Sequence, residues 1–80
     1  MKLIQVFGMG CARCREAENN VREAAARLGI DAPVEFVGDL KVMAAMGIIG
    51  TPAIAVDGKV VLAGSVPSAA QAAALLEKFA

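Results

Sequence analysis

The sequence predicts an α/β fold of order βαβαββα: a four-stranded mixed sheet flanked by three helices, in a single domain spanning residues 1–80. Three observations carry this. Short apolar blocks of strand length alternate with stretches of helical periodicity, as expected of helices layered on a sheet. The dipeptide Asp57-Gly58 sits between two such blocks and is a strong hairpin signal. Glycines and capping residues stand where the helices must stop and start.

The first strand is expected at Lys2 to Phe7, without strict alternation, as in a central strand covered on both faces. A helix follows from about Cys11 to Leu28, with Cys14, Ala17, Val21, Ala25 and Leu28 spaced along one buried face. Glu18 with Arg22 and Glu23 with Arg27 are i,i+4 pairs in the favourable orientation, each worth about 0.2–0.5 kcal/mol. Gly29 is a natural C-cap. After the turn Asp31-Ala32-Pro33, Val34 to Val37 forms the second strand, and its Glu35 reads as an exposed carboxylate.

Asp39 caps a short helix running to about Met46, which Gly47 ends. Met43 and Met46, at that spacing, are core filler rather than thioether ligands. Ala53 to Val56 and Lys59 to Ala63 are the hairpin strands. Ser68 with Gln71 fits a capping box, and the last helix runs to about Phe79 with Ala72, Leu75, Leu76 and Phe79 towards the core. The first two strands are predicted parallel through a right-handed crossover, the last two antiparallel.

Composition narrows the function. Eight basic and eight acidic residues cancel, and the only aromatics are three phenylalanines, so nucleic-acid binding has no electrostatic footprint. No apolar run is long enough for a membrane span or a signal peptide, and a soluble cytoplasmic protein is the expectation. At this length the core is modest, since a chain of this size buries only about 60% of the surface its unfolded form exposes. The 58% apolar content compensates in part. Two cysteines three positions apart are too few and too close to staple a domain, and histidine is absent. A closed zinc site would need two carboxylates beside the thiolates, an uncommon ligand set. The thiols are read as chemical rather than structural.

The cysteines stand in Gly8-Met9-Gly10-Cys11-Ala12-Arg13-Cys14, between the first strand and the first helix. A helix N-terminus supplies unpaired N–H groups and partial positive charge, both favouring a thiolate. The thiolate is the nucleophile, and C-x-x-C cysteines at such positions reach pKa values of about 3.5–7.5. Forty residues on comes Met46-Gly47-Ile48-Ile49-Gly50-Thr51-Pro52-Ala53-Ile54, then Val56-Asp57-Gly58-Lys59. Together these segments resemble the thioredoxin superfamily, and specifically its small, glutaredoxin-sized redox-active disulfide proteins of bacteria and archaea. Gly64 falls where that family has a glycine after the last strand. The resemblance covers nearly the whole chain and implies a minimal thioredoxin-like fold.

The resemblance also implies a thiol–disulfide oxidoreductase. Cys11 would attack a substrate disulfide and Cys14 would resolve the mixed disulfide. Thr51-Pro52 would be a cis peptide beside the cysteines, with the Thr51 backbone offered to an extended substrate segment as in β-augmentation. Gly10, Ala12 and Arg13 would complete the substrate surface, and Arg13 and Arg15 would add charge favouring a thiolate. No cofactor beyond the Cys11–Cys14 couple is implied. The expected partners are a disulfide-bearing protein substrate and a reductase donor, of thioredoxin-reductase type in preference to glutathione, acting on a monomer.

The chain departs from thioredoxins in three ways. Gly10 replaces their tryptophan before the first cysteine, Gln5 stands at their buried aspartate, and Ala12-Arg13 is neither their Gly-Pro nor the glutaredoxins' Pro-Tyr. The alternative reading is a Cu(I)-binding chaperone module. The Gly8-to-Cys14 stretch also resembles the G-M-x-C-x-x-C loop of soft-metal chaperones, where two thiolates hold the metal. That fold has the order βαββαβ and ends on a strand.

Overall fold

The computed structural model describes residues 2–10 and 12–79. Its elements run β1 (Ile4–Phe7), α1 (Ala12–Arg27), β2 (Val34–Val37), α2 (Leu40–Ala45), β3 (Ala53–Val56), β4 (Lys59–Ala63) and α3 (Ala69–Phe79). The strands form one sheet in the order β2-β1-β3-β4. Strand β1 is parallel to β2, with Ile4 opposite Val34 and Phe7 opposite Val37. It is antiparallel to β3, with Ile4 opposite Val56 and Phe7 opposite Ala53. The predicted mixed sheet and the βαβαββα order are therefore those of a minimal thioredoxin-like fold. This is not the order a soft-metal chaperone reading needs.

Residue alternation divides the core into two layers. Ile4 and Val6 of β1, with Ile54 and Val56 of β3, pack against Ala17, Val21, Ala24 and Ala25 of α1 and Ala72 and Leu76 of α3. On the other face Phe7, Ala53 and Ala55 pack with Met43 of α2, flanked by Met46 and Ile48. Met43 is core and Met46 is half-buried against it, in the filler role expected of both, and Glu35 is exposed. A register shift at Ile54/Ala55 leaves Val61 as an extra residue in edge strand β4. This bulge lets Val61 and Leu62 both pack against the α1/α3 layer.

The helix ends follow their caps. Asp39 accepts from the Lys41 N–H at 2.9 Å. Ser68 and Gln71 exchange both bonds of the capping box, at 2.9 and 3.1 Å. Helix α2 closes with Ile48 N–H donating to Met43 O at 2.9 Å and Gly47 N–H to Ala44 O at 3.1 Å. This closure puts Gly47 at a φ of 73° and folds Ile48 back onto Met43. Both predicted ion pairs of α1 form, Arg22–Glu18 at 2.7 Å and Arg27–Glu23 at 3.1 Å.

One boundary and one side chain differ from expectation, and one predicted boundary falls on a residue outside those described. Strand β1 starts at Ile4 rather than Lys2, because the Lys2 and Leu3 N–H groups donate to the Asp57 carboxylate, at 2.7 and 2.9 Å, rather than into a ladder. Helix α1 is described from Ala12, and the predicted start at Cys11 lies outside the described residues. Phe79 does not face the core. It continues the stripe of Ala72 and Leu76, but the α1/α3 layer ends at Leu76, and one turn further Phe79 is 37% exposed. Leu75 is half-buried and lines a surface groove with Leu62. Among the described residues no helix is long and apolar enough to cross a membrane.

Candidate functional site

The candidate site lies where β1 and β2 end and β3 begins. Beyond the last pair of the β1–β3 ladder, Phe7 with Ala53, the next residues on the two strands are Gly8 and Pro52. The Gly8 N–H donates to Val37 O at 3.1 Å, and Pro52 O accepts from the Gly64 N–H at 3.0 Å. Gly8 and Pro52 thus leave the sheet at the same edge, each tied to its outer neighbour. Pro52 is fully buried, Thr51 is half-buried, and the bond between them is cis.

Cys14 is in the first turn of α1 with 0% exposure. Its side chain occupies the space directly over Gly8. A Cβ built on Gly8 would fall 2.6 Å from Cys14 Cβ and closer still to Cys14 Sγ, with the Phe36 ring 3.5 Å away. Cys14, packed over Gly8, and Pro52, which leads into β3, therefore both lie at the sheet edge where β1 ends and β3 begins. Cys11 lies outside the described residues. Gly10, at a φ of 80°, and Ala12 are exposed on either side of its position in the chain. Arg13 and Arg15 are exposed in the first turn of α1.

Gln5 pairs with Ala55 and Glu35 across the sheet, and its side chain shares their face. Ala55 belongs to the α2 layer, so Gln5 is turned away from α1 and Cys14. The loop entering β3 is held by close backbone contact. A Cβ on Gly50 would meet Gly64 Cα at 3.1 Å and Gly64 N at 3.4 Å.

Composition and spacing did not single out two further features of this edge. Ile49, in the loop before Thr51, is fully exposed, and Met9, before Gly10, is 58% exposed. An isoleucine and a methionine inside predicted loops were the available signal, since neither has an element to pack into. Leu40, which opens α2 just after the end of β2, is also exposed.

A crossover helix delivering a buried thiol to the sheet edge occupied by a cis X–Pro turn defines a thioredoxin-like class of protein. A family model described as "Thioredoxin domain" matches residues 2–77. The chain is 41% identical over 68 residues to a thioredoxin of Methanothermobacter thermautotrophicus, covering 85% of this chain and 88% of that one. It is 38% identical over 68 residues to a thioredoxin of Methanocaldococcus jannaschii, covering 85% and 78%. The chain belongs to the thioredoxin domain family.

Proposed function

We propose that this protein is a thiol–disulfide oxidoreductase working through the Cys11/Cys14 couple. The observation that carries the reading is the buried Cys14 thiol packed at the sheet edge where the Thr51–Pro52 turn enters β3, in a chain of this family. Cys11, as thiolate, attacks one sulfur of a substrate disulfide, forming a mixed disulfide and releasing the first substrate thiolate. Cys14 gives its proton to solvent and attacks the Cys11 sulfur. The Cys11–Cys14 disulfide forms and the second substrate thiolate leaves. The substrate gains two electrons, the protein loses two, and a donor dithiol restores the reduced couple.

Proton transfer to solvent suits this chain, since Gln5 carries no carboxylate and its side chain is turned to the α2 face. The exposed Met9, Ile49 and Leu40 make the surroundings apolar, which fits a segment of a protein substrate better than glutathione. Thr51, Pro52, Gly10, Ala12 and Arg13 are assigned to holding that segment, with the Thr51 backbone pairing to it as an added strand. A thioredoxin-reductase-type donor, a monomeric state, a cytoplasmic location and no cofactor beyond the two sulfurs complete the proposal.

The test is reduction of an insulin-type disulfide with dithiothreitol as donor. Wild type should catalyse it, Cys11→Ser should be inactive, and Cys14→Ser should accumulate mixed disulfides through Cys11. Inactive wild type would overturn the reading, and partners trapped on Cys14 of Cys11→Ser instead would reverse the roles. The reduction potential then sets direction, because about 30 mV is a tenfold change in a two-electron equilibrium.

A further inference from the structure

We infer that Gly8 is a positioning residue for the exchange: its missing side chain is the seat of the Cys14 sulfur. The inference rests on the dithiol reading above and specifies where the resolving thiol is held. Gly8 does not have the left-handed backbone that commonly requires glycine, and it is absent from the positive-φ positions of the described chain. Any residue could adopt its conformation. What glycine supplies at this position is space.

Among the described residues, the Cys14 side chain is the nearest to that space. Gly8 continues the alternation of Ile4 and Val6 and so faces α1. On that face both the Cβ and Sγ of Cys14 would overlap a Cβ at position 8, while the Phe36 ring at 3.5 Å would be in ordinary contact. The two overlaps differ in kind. Rotation about the Cα–Cβ bond of Cys14 could move its Sγ away. Its Cβ is fixed to the backbone, at 2.6 Å, and can retreat only if the first turn of α1 moves off β1. Since that turn follows Cys11 directly in the chain, such a shift alters the approach of the Cys14 sulfur to Cys11. The resolving step suffers and the first attack does not.

The experiment uses Gly8→Ala and one equivalent of an aromatic disulfide that releases a coloured thiolate. One reagent molecule releases one thiolate when Cys11 attacks. It releases the second only when Cys14 closes the internal disulfide. Wild type should show both phases. Folded Gly8→Ala should keep the first and slow the second on the order of a hundredfold, the penalty typical of an ångström-scale misplacement. Its mixed disulfide on Cys11 should persist in the mass spectrum. A folded Gly8→Ala with both phases at wild-type rates overturns the inference. Absence of the second phase from wild type overturns the dithiol reading instead. If Gly8→Ala does not fold, Gly8→Ala/Cys14→Gly decides. Removing the Cys14 side chain should restore folding, and a double variant that stays unfolded while Cys14→Gly alone folds overturns the inference.

Discussion

The two ends of the sheet are built on opposite principles. At the hairpin end a carboxylate clasps the chain: Asp57 Oδ1 accepts from the Lys2 and Leu3 N–H groups, and the Asp57 N–H donates to Leu3 O at 2.9 Å. Polar side-chain bonding across more than fifty positions fastens the start of β1 to the β3–β4 turn. At the site end the fastening comes from missing side chains. Gly8 gives way to Cys14, Gly50 lies against Gly64, and Gly38 faces the Gly8 carbonyl. A carboxylate clasp beside the cysteines would place negative charge where the proposed exchange calls for a thiolate, opposing it. Close backbone packing at Gly8, Gly38 and Gly50 fixes geometry without adding charge, and the Asp57 clasp lies at the opposite end of the sheet.

The site end loses its special role if a change there leaves exchange intact. After Gly8, the largest effect is expected at Gly50. Its added Cβ in Gly50→Ala would press on Gly64 Cα and N, both backbone atoms. Gly64 also holds the Pro52 carbonyl at 3.0 Å, so relief comes by moving the Thr51–Pro52 turn. Catalysed reduction of a protein disulfide should fall about tenfold or more, as expected of a displaced substrate-positioning segment. Overpacking should cost about 1–3 kcal/mol in urea unfolding. Wild-type kcat/KM in Gly50→Ala would show that the close approach has no part in positioning.

The matching change at the other end should touch stability alone. Gly58 has a φ of 83° in the turn after Asp57, itself at 52°, the conformation a two-residue hairpin demands. Gly58→Ala forces a side chain into the left-handed region at about 1–2 kcal/mol. The unfolding midpoint should drop while the exchange rate at fixed folded concentration stays as in wild type. A loss of exchange comparable to Gly50→Ala would mean that the two ends are not separable.

The sequence made one end plainer than the other, for physical reasons. The Asp57-Gly58 turn, the Ser68/Gln71 box and the Asp39 and Gly47 caps are local signals. Neighbouring residues both specify and form the structure, so β3, β4 and α2 stand where they were read. The Cys-x-x-Cys and Thr-Pro segments likewise marked the candidate site. The seat of Cys14 left no such trace. An ordinary-φ glycine next to Met9 and Gly10 reads as loop, and only the crossing of α1 over β1 gives it meaning. The Asp57 clasp was hidden in the same way, since its partners lie at the far end of the sequence. Phe79 was misread because periodicity assigns a face to a helix but not the point along it at which the covering layer stops.

The smallest expected effect isolates the charge in the clasp. Hydrogen bonds from Lys2 and then Leu3 hold the Asp57 carboxyl below its ordinary value of 3.8. The charged form is thus favoured in the folded chain. Its stabilising contribution is fully present above the unfolded value and is lost as pH falls through the lower folded value. Asp57→Asn keeps a side chain tolerated at positive φ and a carbonyl oxygen able to accept, but removes the titration. Wild type should therefore exceed Asp57→Asn in stability most at neutral pH, and the gap should narrow as pH is lowered through and below about 4. Because Asp57 is exposed, salt should shrink the neutral-pH gap as well. Thermal unfolding of both proteins between neutral and acidic pH measures this. A gap that widened towards acid would mean that the carboxylate is destabilising where it stands. Unchanged exchange in Asp57→Asn at neutral pH would complete the separation, with charge fastening one end of the sheet and vacant volume shaping the other.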